Sequence, residues 1–226
     1  MSRWITQLRG KFLVFDGPDG SGKTTQFDRF AEHCRQAGLG VCEVREPGGT
    51  AFGEQIRRIL LDPASPEMSV RCEMMLYMAS RAQLVEQTIA PALQRGELVL
   101  ADRFISSTLA YQGAAGGLSP EEILAVGRIA VQSSWPDLTV IFDVDETTAA
   151  RRLVGSAKDH RYIKVFGPTL FSDRLELRGA EYQQRVRKGY LQQAKDAPQR
   201  HLVIDSRNDP DSVFETLLNR LQERFA

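Results

Sequence analysis

Gly17-Pro18-Asp19-Gly20-Ser21-Gly22-Lys23-Thr24 consists of a glycine, four free positions and then Gly-Lys-Thr, and it stands one residue after the apolar stretch Phe12-Leu13-Val14-Phe15. Glycines let successive backbone N–H groups turn inward around a phosphate chain, because they accept positive φ values and have no β-carbon. In such a loop Lys23 would reach the β and γ phosphates, and the Thr24 hydroxyl would reach Mg²⁺. A helix beginning near Lys23 would point its positive end at the same anion. The stretch therefore predicts a phosphate loop in which residues 17–24 bind a nucleoside triphosphate.

The composition is that of one globular domain. The 226 residues are 42% hydrophobic and 26% charged, which suits a single domain spanning residues 1–226. Lysine plus arginine equals aspartate plus glutamate, at 29 each, so no overall field attracts nucleic acid or an anionic membrane. No stretch approaches 18 apolar residues, and residues 1–10 lack the apolar core of a signal peptide. We therefore expect a cytoplasmic protein that binds neither nucleic acid nor membrane.

The cysteines and histidines do not indicate a metal site. Cys34, Cys42 and Cys72 are odd in number and lack metal-type spacing, which suits a reducing compartment, and we expect buried thiols. The three histidines lie far apart along the chain, so a histidine metal site has no support.

Periodicity predicts an α/β fold in which short strands alternate with longer helices. Continuous apolar strands are typical of a parallel sheet covered on both faces, so we expect a doubly wound five-stranded parallel sheet of the P-loop NTPase type. One helix start is unusually clear, because Ser119-Pro120-Glu121-Glu122 offers a serine cap, proline at the first position and glutamate three residues after the cap. The predicted strands are 12–15, 41–45, 98–102, 139–144 and 201–204. The predicted helices are 23–36, 53–61, 70–94, 120–131, 147–154, 172–194 and 211–225.

Polar motifs follow the predicted strands, at the carboxyl edge where open parallel sheets bind ligands. The phosphate loop follows the first strand, and Glu46-Pro47-Gly48-Gly49-Thr50 follows the second. The third strand ends in Asp102-Arg103, and the fourth ends in Asp143. These segments are expected to converge on one site.

Three motifs together resemble the thymidylate kinase family. They are Arg45 to Thr50, Asp102 to Gly113, and Asp173-Arg174-Leu175-Glu176, and the resemblance runs in the same order from about Lys11 to Ala194. It implies transfer of the γ-phosphoryl group of ATP to dTMP, with Mg²⁺ as the ion and a homodimer as the usual assembly. The acceptor is a phosphate whose second pKa is about 6, so no strong general base is needed.

The resemblance also implies roles around the phosphates. Lys23 and Arg103 would be catalytic, with Arg103 clamping acceptor and donor phosphates together. Asp19 would help hold Mg²⁺ together with Thr24 and Glu176, and Arg45 would help bind the acceptor phosphate. Deoxynucleoside kinases instead transfer to a hydroxyl and need a carboxylate base, for which Asp16 is the only candidate directly before the loop.

Around the base and sugar, the same matching assigns Tyr77 to stack on thymine and Arg81 to donate to a base carbonyl. Thr108 and Gln112 match positions around the base, and Tyr111 matches the ring beneath the deoxyribose that disfavours a 2′-hydroxyl. From the residues alone, Tyr77 and Tyr111 are more typical of amphipathic core side chains than of a binding site, and Arg81 is typical of a solvated surface charge.

The sequence departs from the family pattern in three places. Ser80 stands where aspartate commonly precedes the arginine, and Asp16 stands where glutamate is frequent. The lid, about residues 153–172, is longer and more apolar than usual. The phosphate loop has no arginine, so the assisting cation is expected from the lid, with Arg161 as the catalytic candidate and Arg174 or Lys158 as alternatives. Two competing interpretations remain. The chain could be another nucleoside or nucleoside monophosphate kinase, or a nucleotide-binding module without transfer activity.

Overall fold

The computed structural model describes residues 3–156 and 178–226. The chain first forms a 3-10 turn, Arg3–Leu8. The strands are β1 Phe12–Asp16, β2 Val41–Arg45, β3 Leu98–Asp102, β4 Leu138–Asp143 and β5 His201–Asp205. The first helices are α1 Lys23–Gln36, α2 Ala51–Leu61, α3 Val70–Leu84, α4 Ala90–Gln94 and α5 Ile105–Thr108. They are followed by α6 Pro120–Val131, α7 Glu146–Ser156, α8 Ala180–Asp196 and α9 Pro210–Phe225.

The described strands form one parallel sheet in the order β2-β3-β1-β4-β5, which places the phosphate-loop strand at its centre. On β1, Leu13 and Phe15 enter the core beneath α1 and α9, whereas Phe12 and Val14 enter the core on the opposite face. The central strands β1 and β3 are apolar up to their terminal aspartates, because both of their faces are covered. The predicted doubly wound α/β fold is confirmed.

Most predicted elements are confirmed within one or two residues at each end. The capping box is present, because Ser119 Oγ accepts a hydrogen bond from Glu122 N at 3.2 Å and Glu122 Oε2 accepts one from Ser119 N at 3.1 Å. The helix predicted over 70–94 is continuous, but its middle widens into a π-helical turn at Val85–Ile89. The helix predicted over 172–194 begins at Ala180 within the described residues.

Two elements were not predicted. The 3-10 turn at Arg3–Leu8 places Trp4, Ile5 and Leu8 in the core. Helix α5 continues as a π-helix over Leu109–Ala115. Its Ser-Ser-Thr start and its glycine are poor helix formers, so local propensity does not reveal it. Packing against α8 decides the conformation there, and this segment carries much of the site.

The prediction of three buried thiols is wrong for two of them. Cys34 is buried in the core, but Cys42 is only half-buried and Cys72 is exposed on the first turn of α3. Helix α3 carries apolar and polar side chains around much of its circumference, so its sequence pattern does not show which side faces water. No helix among the described residues is both long and apolar enough to cross a membrane.

Candidate active site

The phosphate loop lies between the end of β1 and the first turn of α1, as predicted. Gly17 has a φ of 142° and Gly20 a φ of 77°. A β-carbon on Gly17 would lie 2.5 Å from the Phe142 carbonyl oxygen, and one on Gly20 would lie 2.6 Å from that of Ala149. Both positions therefore require glycine for backbone conformation and for space.

A cleft of about 590 Å³ opens beside this loop. It is lined by residues 18–26 and by the loop after β5, Ser206 to Pro210. Arg152 of α7 joins the two walls, because its Nη2 donates to the Ser206 carbonyl at 2.8 Å and its Nη1 lies 3.4 Å from the Ser21 carbonyl. Arg152 belongs to no sequence motif, and from its residue type it is a charged residue of a helix. The cleft has the place and the backbone donors expected for a nucleoside triphosphate.

Lys23 and Asp102 form a partly buried ion pair at the sheet edge, in which Lys23 Nζ donates to Asp102 Oδ1. Asp102 ends β3, and its register partner Phe15 lies on the strand that leads into the phosphate loop. Thr24 and Asp102 line one shared cleft of about 660 Å³. A hydroxyl and a carboxylate are oxygen ligands of the kind Mg²⁺ uses when it keeps several waters and binds substrate phosphates. Asp102 was not named as a candidate metal ligand from the sequence, although it is an aspartate that ends the strand beside the phosphate loop.

Arg103 lies between the phosphate loop and α5. Its Nη1 donates to the Gly17 carbonyl at 3.3 Å and to Ser107 Oγ at 3.2 Å, and its Nη2 donates to Asp19 Oδ1. Its guanidinium also lies 5.3 Å from the centre of the Tyr111 ring. Its φ of 70° is strained for a residue with a side chain, and such strain is concentrated at functional sites. Burial would lower the pKa of Arg103, but nearby Tyr111 and Asp19 help to raise it well above its usual range.

Asp16 is a fully buried carboxylate beneath Arg103. Its Oδ1 accepts hydrogen bonds from Tyr190 OH at 2.6 Å and Ser107 Oγ at 2.7 Å, and its Oδ2 accepts one from Ser106 Oγ at 2.5 Å. Burial, followed by the charge of Asp16, raises the pKa of Tyr190 well above its usual range. Tyr190 also lies 3.2 Å from Arg103 Nη1, so α8 supports the arginine from below. No sequence signal singled out Tyr190.

Asp19 of the phosphate loop lines the cleft beside the loop and contacts Arg103 and Tyr111. Its Oδ1 accepts from Arg103, and its Oδ2 accepts a hydrogen bond from Tyr111 OH at 3.2 Å. Tyr111 is buried and its hydroxyl is paired, so it is both a core residue and a member of the site. The ring thus links the phosphate loop to the helical segment that begins at Ile105.

Arg81 is almost completely buried, with 1% of its surface exposed, so the alternative that it is a solvated surface charge is wrong. Its Nε donates to Glu46 Oε2 at 2.8 Å, and its Nη1 donates to Thr108 Oγ1 at 3.2 Å. Burial raises the pKa of the Glu46 carboxyl, and the ion pair with Arg81 opposes that rise. Ser80 Oγ accepts from Gly48 N at 3.1 Å, so a neutral hydroxyl holds the loop after β2.

The remaining residues predicted around the acceptor have mixed surroundings. Gln112 is buried and donates from Nε2 to Glu73 Oε1 at 2.7 Å, whereas Tyr77 is half-buried on α3. Arg45 ends β2 opposite Asp102 and donates from Nη2 to Glu54 Oε1 at 3.3 Å. Sequence reasoning missed Glu46 and Glu73. Glu73, Tyr77 and Arg81 are spaced four residues apart, which could have shown that they share one helix face.

Most of the predicted lid lies outside the described residues. This holds for Arg161, Lys158, Arg174 and Glu176, so their roles stay predictions. The described part of the lid is its first four residues, which complete α7.

Residues 15–217 match the family model described as Thymidylate kinase. The chain belongs to the thymidylate kinase family. A thymidylate kinase of Caldanaerobacter subterraneus subsp. tengcongensis is 41% identical over 216 residues, covering 96% of this chain and 97% of that protein. One of Exiguobacterium sp. is 40% identical over 220 residues, covering 96% and 98%. The crystal structure of thymidylate kinase from Ehrlichia chaffeensis matches with a TM-score of 0.71 and 30% identity, covering 93% of this chain and 98% of that one.

Membership of the thymidylate kinase family agrees with the geometry of the sheet edge. Two of the three motifs that indicated the family follow β2 and β3, and they lie beside the phosphate loop through the contacts Arg103–Asp19 and Arg81–Glu46. The third motif, Asp173 to Glu176, lies outside the described residues. The chain is therefore a kinase with a P-loop fold.

Proposed function

We propose that the protein transfers the γ-phosphoryl group of ATP to dTMP, giving dTDP and ADP. The observation that carries this proposal is the position of Arg103, which contacts the phosphate loop through Gly17 and Asp19 and the acceptor side through Ser107. A guanidinium placed there can contact both reacting phosphates. Holding two anions in line and neutralising the migrating group is most of what phosphoryl transfer requires.

For the donor, residues 17–24 would hold the phosphates of ATP, with Lys23 as the mobile cation. The ammonium group now pairs with Asp102, and an incoming phosphate would compete for it. Thr24 and Asp102 would hold Mg²⁺, with Asp19 and Glu176 as the further predicted ligands. When bound, Mg²⁺ supplies charge neutralisation at the donor phosphates. Family membership supports ATP as donor, and the oxygen ligands support the ion.

For the acceptor, Arg103 and Arg45 would bind the phosphate of dTMP, and Arg161 would assist from the lid. Arg81 would donate to a thymine carbonyl, Tyr77 would stack on the ring, and Thr108 and Gln112 would border the base. The buried partners of Arg81 support this role, because a fixed guanidinium recognises a carbonyl at low entropic cost. Tyr111, held by Asp19, would pack under the deoxyribose.

A deoxynucleoside kinase is less well supported. Such an enzyme needs a carboxylate that can take a proton from a hydroxyl. Asp16 is fully buried, and both its oxygens already accept hydrogen bonds. A binding module without transfer activity is also disfavoured, because Lys23 and Arg103 are both in place.

The proposed reaction is tested by following ADP release with ATP and Mg²⁺ and a panel of acceptors. We expect dTMP to give the highest kcat/KM among dTMP, dUMP, dCMP, dGMP, UMP and thymidine. Preference for thymidine would overturn the acceptor assignment, and ATP binding without acceptor-dependent turnover would favour the binding module.

We also propose a homodimer in the cytoplasm. Large apolar side chains are exposed on three packed helices, at Phe52 and Ile59 of α2, Met75 of α3 and Ile129 of α6. Met74 and Met78 instead pack in the core. An apolar row of this kind supports association with a second copy.

Light scattering should show a dimer that Met75→Glu shifts towards the monomer, while Val203→Lys on the edge strand β5 leaves it unchanged. A wild-type monomer would contradict the proposal. All three cysteines are free thiols, which supports a location in the reducing cytoplasm.

A further inference from the structure

Glu73 is a buried carboxylate for which the proposed reaction has no direct use. It lies on the first turn of α3 and only 2% of its surface is exposed. Its Oε1 accepts a hydrogen bond from Gln112 Nε2 at 2.7 Å, and its Oε2 accepts one from Arg178 Nη2 at 2.5 Å. Burying a carboxylate is costly unless it is paired, so the guanidinium of Arg178 accounts for its charge.

The position of Glu73 relates it to the base. It precedes Tyr77 by one helical turn and Arg81 by two, so all three lie along one face of α3. Gln112 approaches that face from the π-helical segment, which also carries Tyr111. Glu73 therefore joins the two elements that supply the predicted base contacts.

The chemistry of the Glu73–Gln112 contact fixes the orientation of the Gln112 side-chain amide. An ionised carboxylate can only accept hydrogen bonds, whereas the glutamine amide has a donating end and an accepting end. Gln112 must therefore turn its NH₂ group towards Glu73, which leaves its carbonyl oxygen turned away. The orientation of a glutamine amide follows from such partners, and here the partner leaves no choice.

We infer that Glu73 is a positioning residue that selects the base by fixing the Gln112 amide with its carbonyl oxygen towards the acceptor nucleotide. This inference rests on the proposed function. The N3–H of thymine is a donor and would meet the Gln112 carbonyl, while Arg81 donates to a carbonyl of the same ring. Cytosine has an unprotonated N3, which is an acceptor, so it would meet the same oxygen with two acceptors opposed. The arrangement selects dTMP and dUMP against dCMP.

Arg178 determines how a glutamine that replaces Glu73 would orient its amide. Its Nη1 donates to Tyr182 OH at 2.9 Å, and Tyr182 OH donates to the Tyr111 carbonyl at 2.7 Å, so it is held in place. In Glu73→Gln, the new carbonyl would face Arg178, because a guanidinium only donates. The new NH₂ group would then face Gln112, whose amide would have to turn over and present its own NH₂ group to the base.

The test compares kcat/KM for dTMP and dCMP in the wild-type protein, Glu73→Gln and the matched control Arg178→Lys, which keeps both the carboxylate and a positive charge beside it. Leaving a buried polar group wrongly paired costs enough to change an equilibrium about tenfold or more. We expect Glu73→Gln to lower the dTMP to dCMP ratio by about tenfold or more. We expect Arg178→Lys to keep the wild-type ratio. A purely structural role would lower both activities together, and an unchanged ratio in folded Glu73→Gln would overturn the inference. Absence of dTMP turnover in the wild-type protein would instead count against the proposed function.

A second measurement needs no variant at position 73. In the wild-type protein, the side-chain NH₂ protons of Gln112, assigned by their loss in Gln112→Leu, should exchange slowly with solvent and stay protected when dTMP binds. The exposed Gln55 on α2 is the internal reference. Exchange of Gln112 as fast as that of Gln55 would overturn the inference, even if Glu73→Gln does not fold.

Discussion

Tyr190→Phe removes one hydroxyl from beneath Arg103 and should weaken both folding and phosphoryl transfer. That hydroxyl donates to Asp16 Oδ1 at 2.6 Å and lies 2.9 Å from Ser107 Oγ. It also accepts from Arg103 Nη1 at 3.2 Å. The ring of Tyr190 stays in its apolar cluster after the change, so the variant isolates the hydroxyl.

The size of the effect follows from these contacts. A buried hydrogen bond to a charged group contributes about 1.5–3 kcal/mol. Asp16 keeps donors from Ser106 and Ser107, so we expect a loss of about 2 kcal/mol in the free energy of unfolding. For a chain of this size that lowers the Tm by about 4–8 °C. Arg103 loses one of the groups that fix it, and we expect both kcat and kcat/KM for dTMP to fall about tenfold, which corresponds to about 1.4 kcal/mol.

The assay combines thermal unfolding with steady-state kinetics, and Tyr182→Phe is the matched control. Tyr182 also has a buried, paired hydroxyl, but its partners are Arg178 and the Tyr111 carbonyl rather than Arg103. We expect Tyr182→Phe to lower the Tm similarly and to leave kcat within about twofold, because Arg103 keeps its contacts. Equal losses of kcat in both variants, or wild-type kinetics in Tyr190→Phe, would refute a supporting role for the Asp16–Tyr190 pair.

Three further predictions concern packing, titration and thiol chemistry. Gly189→Ala places a β-carbon 2.6 Å from Ala114 Cβ, so it should lower the free energy of unfolding by about 1–3 kcal/mol in urea titrations, and a gain would contradict this packing. Burial lowers the pKa of His201 from 6.5. As pH falls below about 6.5, His201 therefore takes up a proton more readily in the unfolded chain than in the folded one. From pH 7.5 to about 5.5 the wild-type protein should lose more free energy of unfolding than His201→Gln, and equal losses would contradict the lowered pKa. Burial raises the pKa of the Cys34 thiol to about 12, so a thiol reagent should label Cys72 rapidly and Cys34 only after unfolding.

The sequence predicts the sheet and the phosphate loop because their determinants are local. Apolar runs specify strands buried on both faces, and the glycines of the loop are required by backbone geometry. The helical segment from Ile105 to Ala115 has no such local signal. Its conformation depends on packing against α8, which is distant in sequence.

The candidate site residues that can be named from the sequence are those that belong to a motif, such as Lys23 and Arg103. The supporting residues were not found, because a buried glutamate and a surface glutamate look alike in sequence. Glu46 and Glu73 are buried only because Arg81 and Arg178 lie opposite them in the fold. Arg81 was misjudged from its residue type for the same reason, since the partner that makes its burial tolerable is 35 positions away.

The most direct test of the account is the fate of the γ-phosphate. The wild-type protein is incubated with γ-labelled ATP, Mg²⁺ and dTMP, and the labelled products are separated by chromatography. We predict that the label appears in dTDP in an amount equal to the ADP formed, and that Arg103→Met lowers this transfer by at least about a hundredfold. Label released only as inorganic phosphate, or label retained in ATP although ATP binds, would contradict the assignment of this site to phosphoryl transfer.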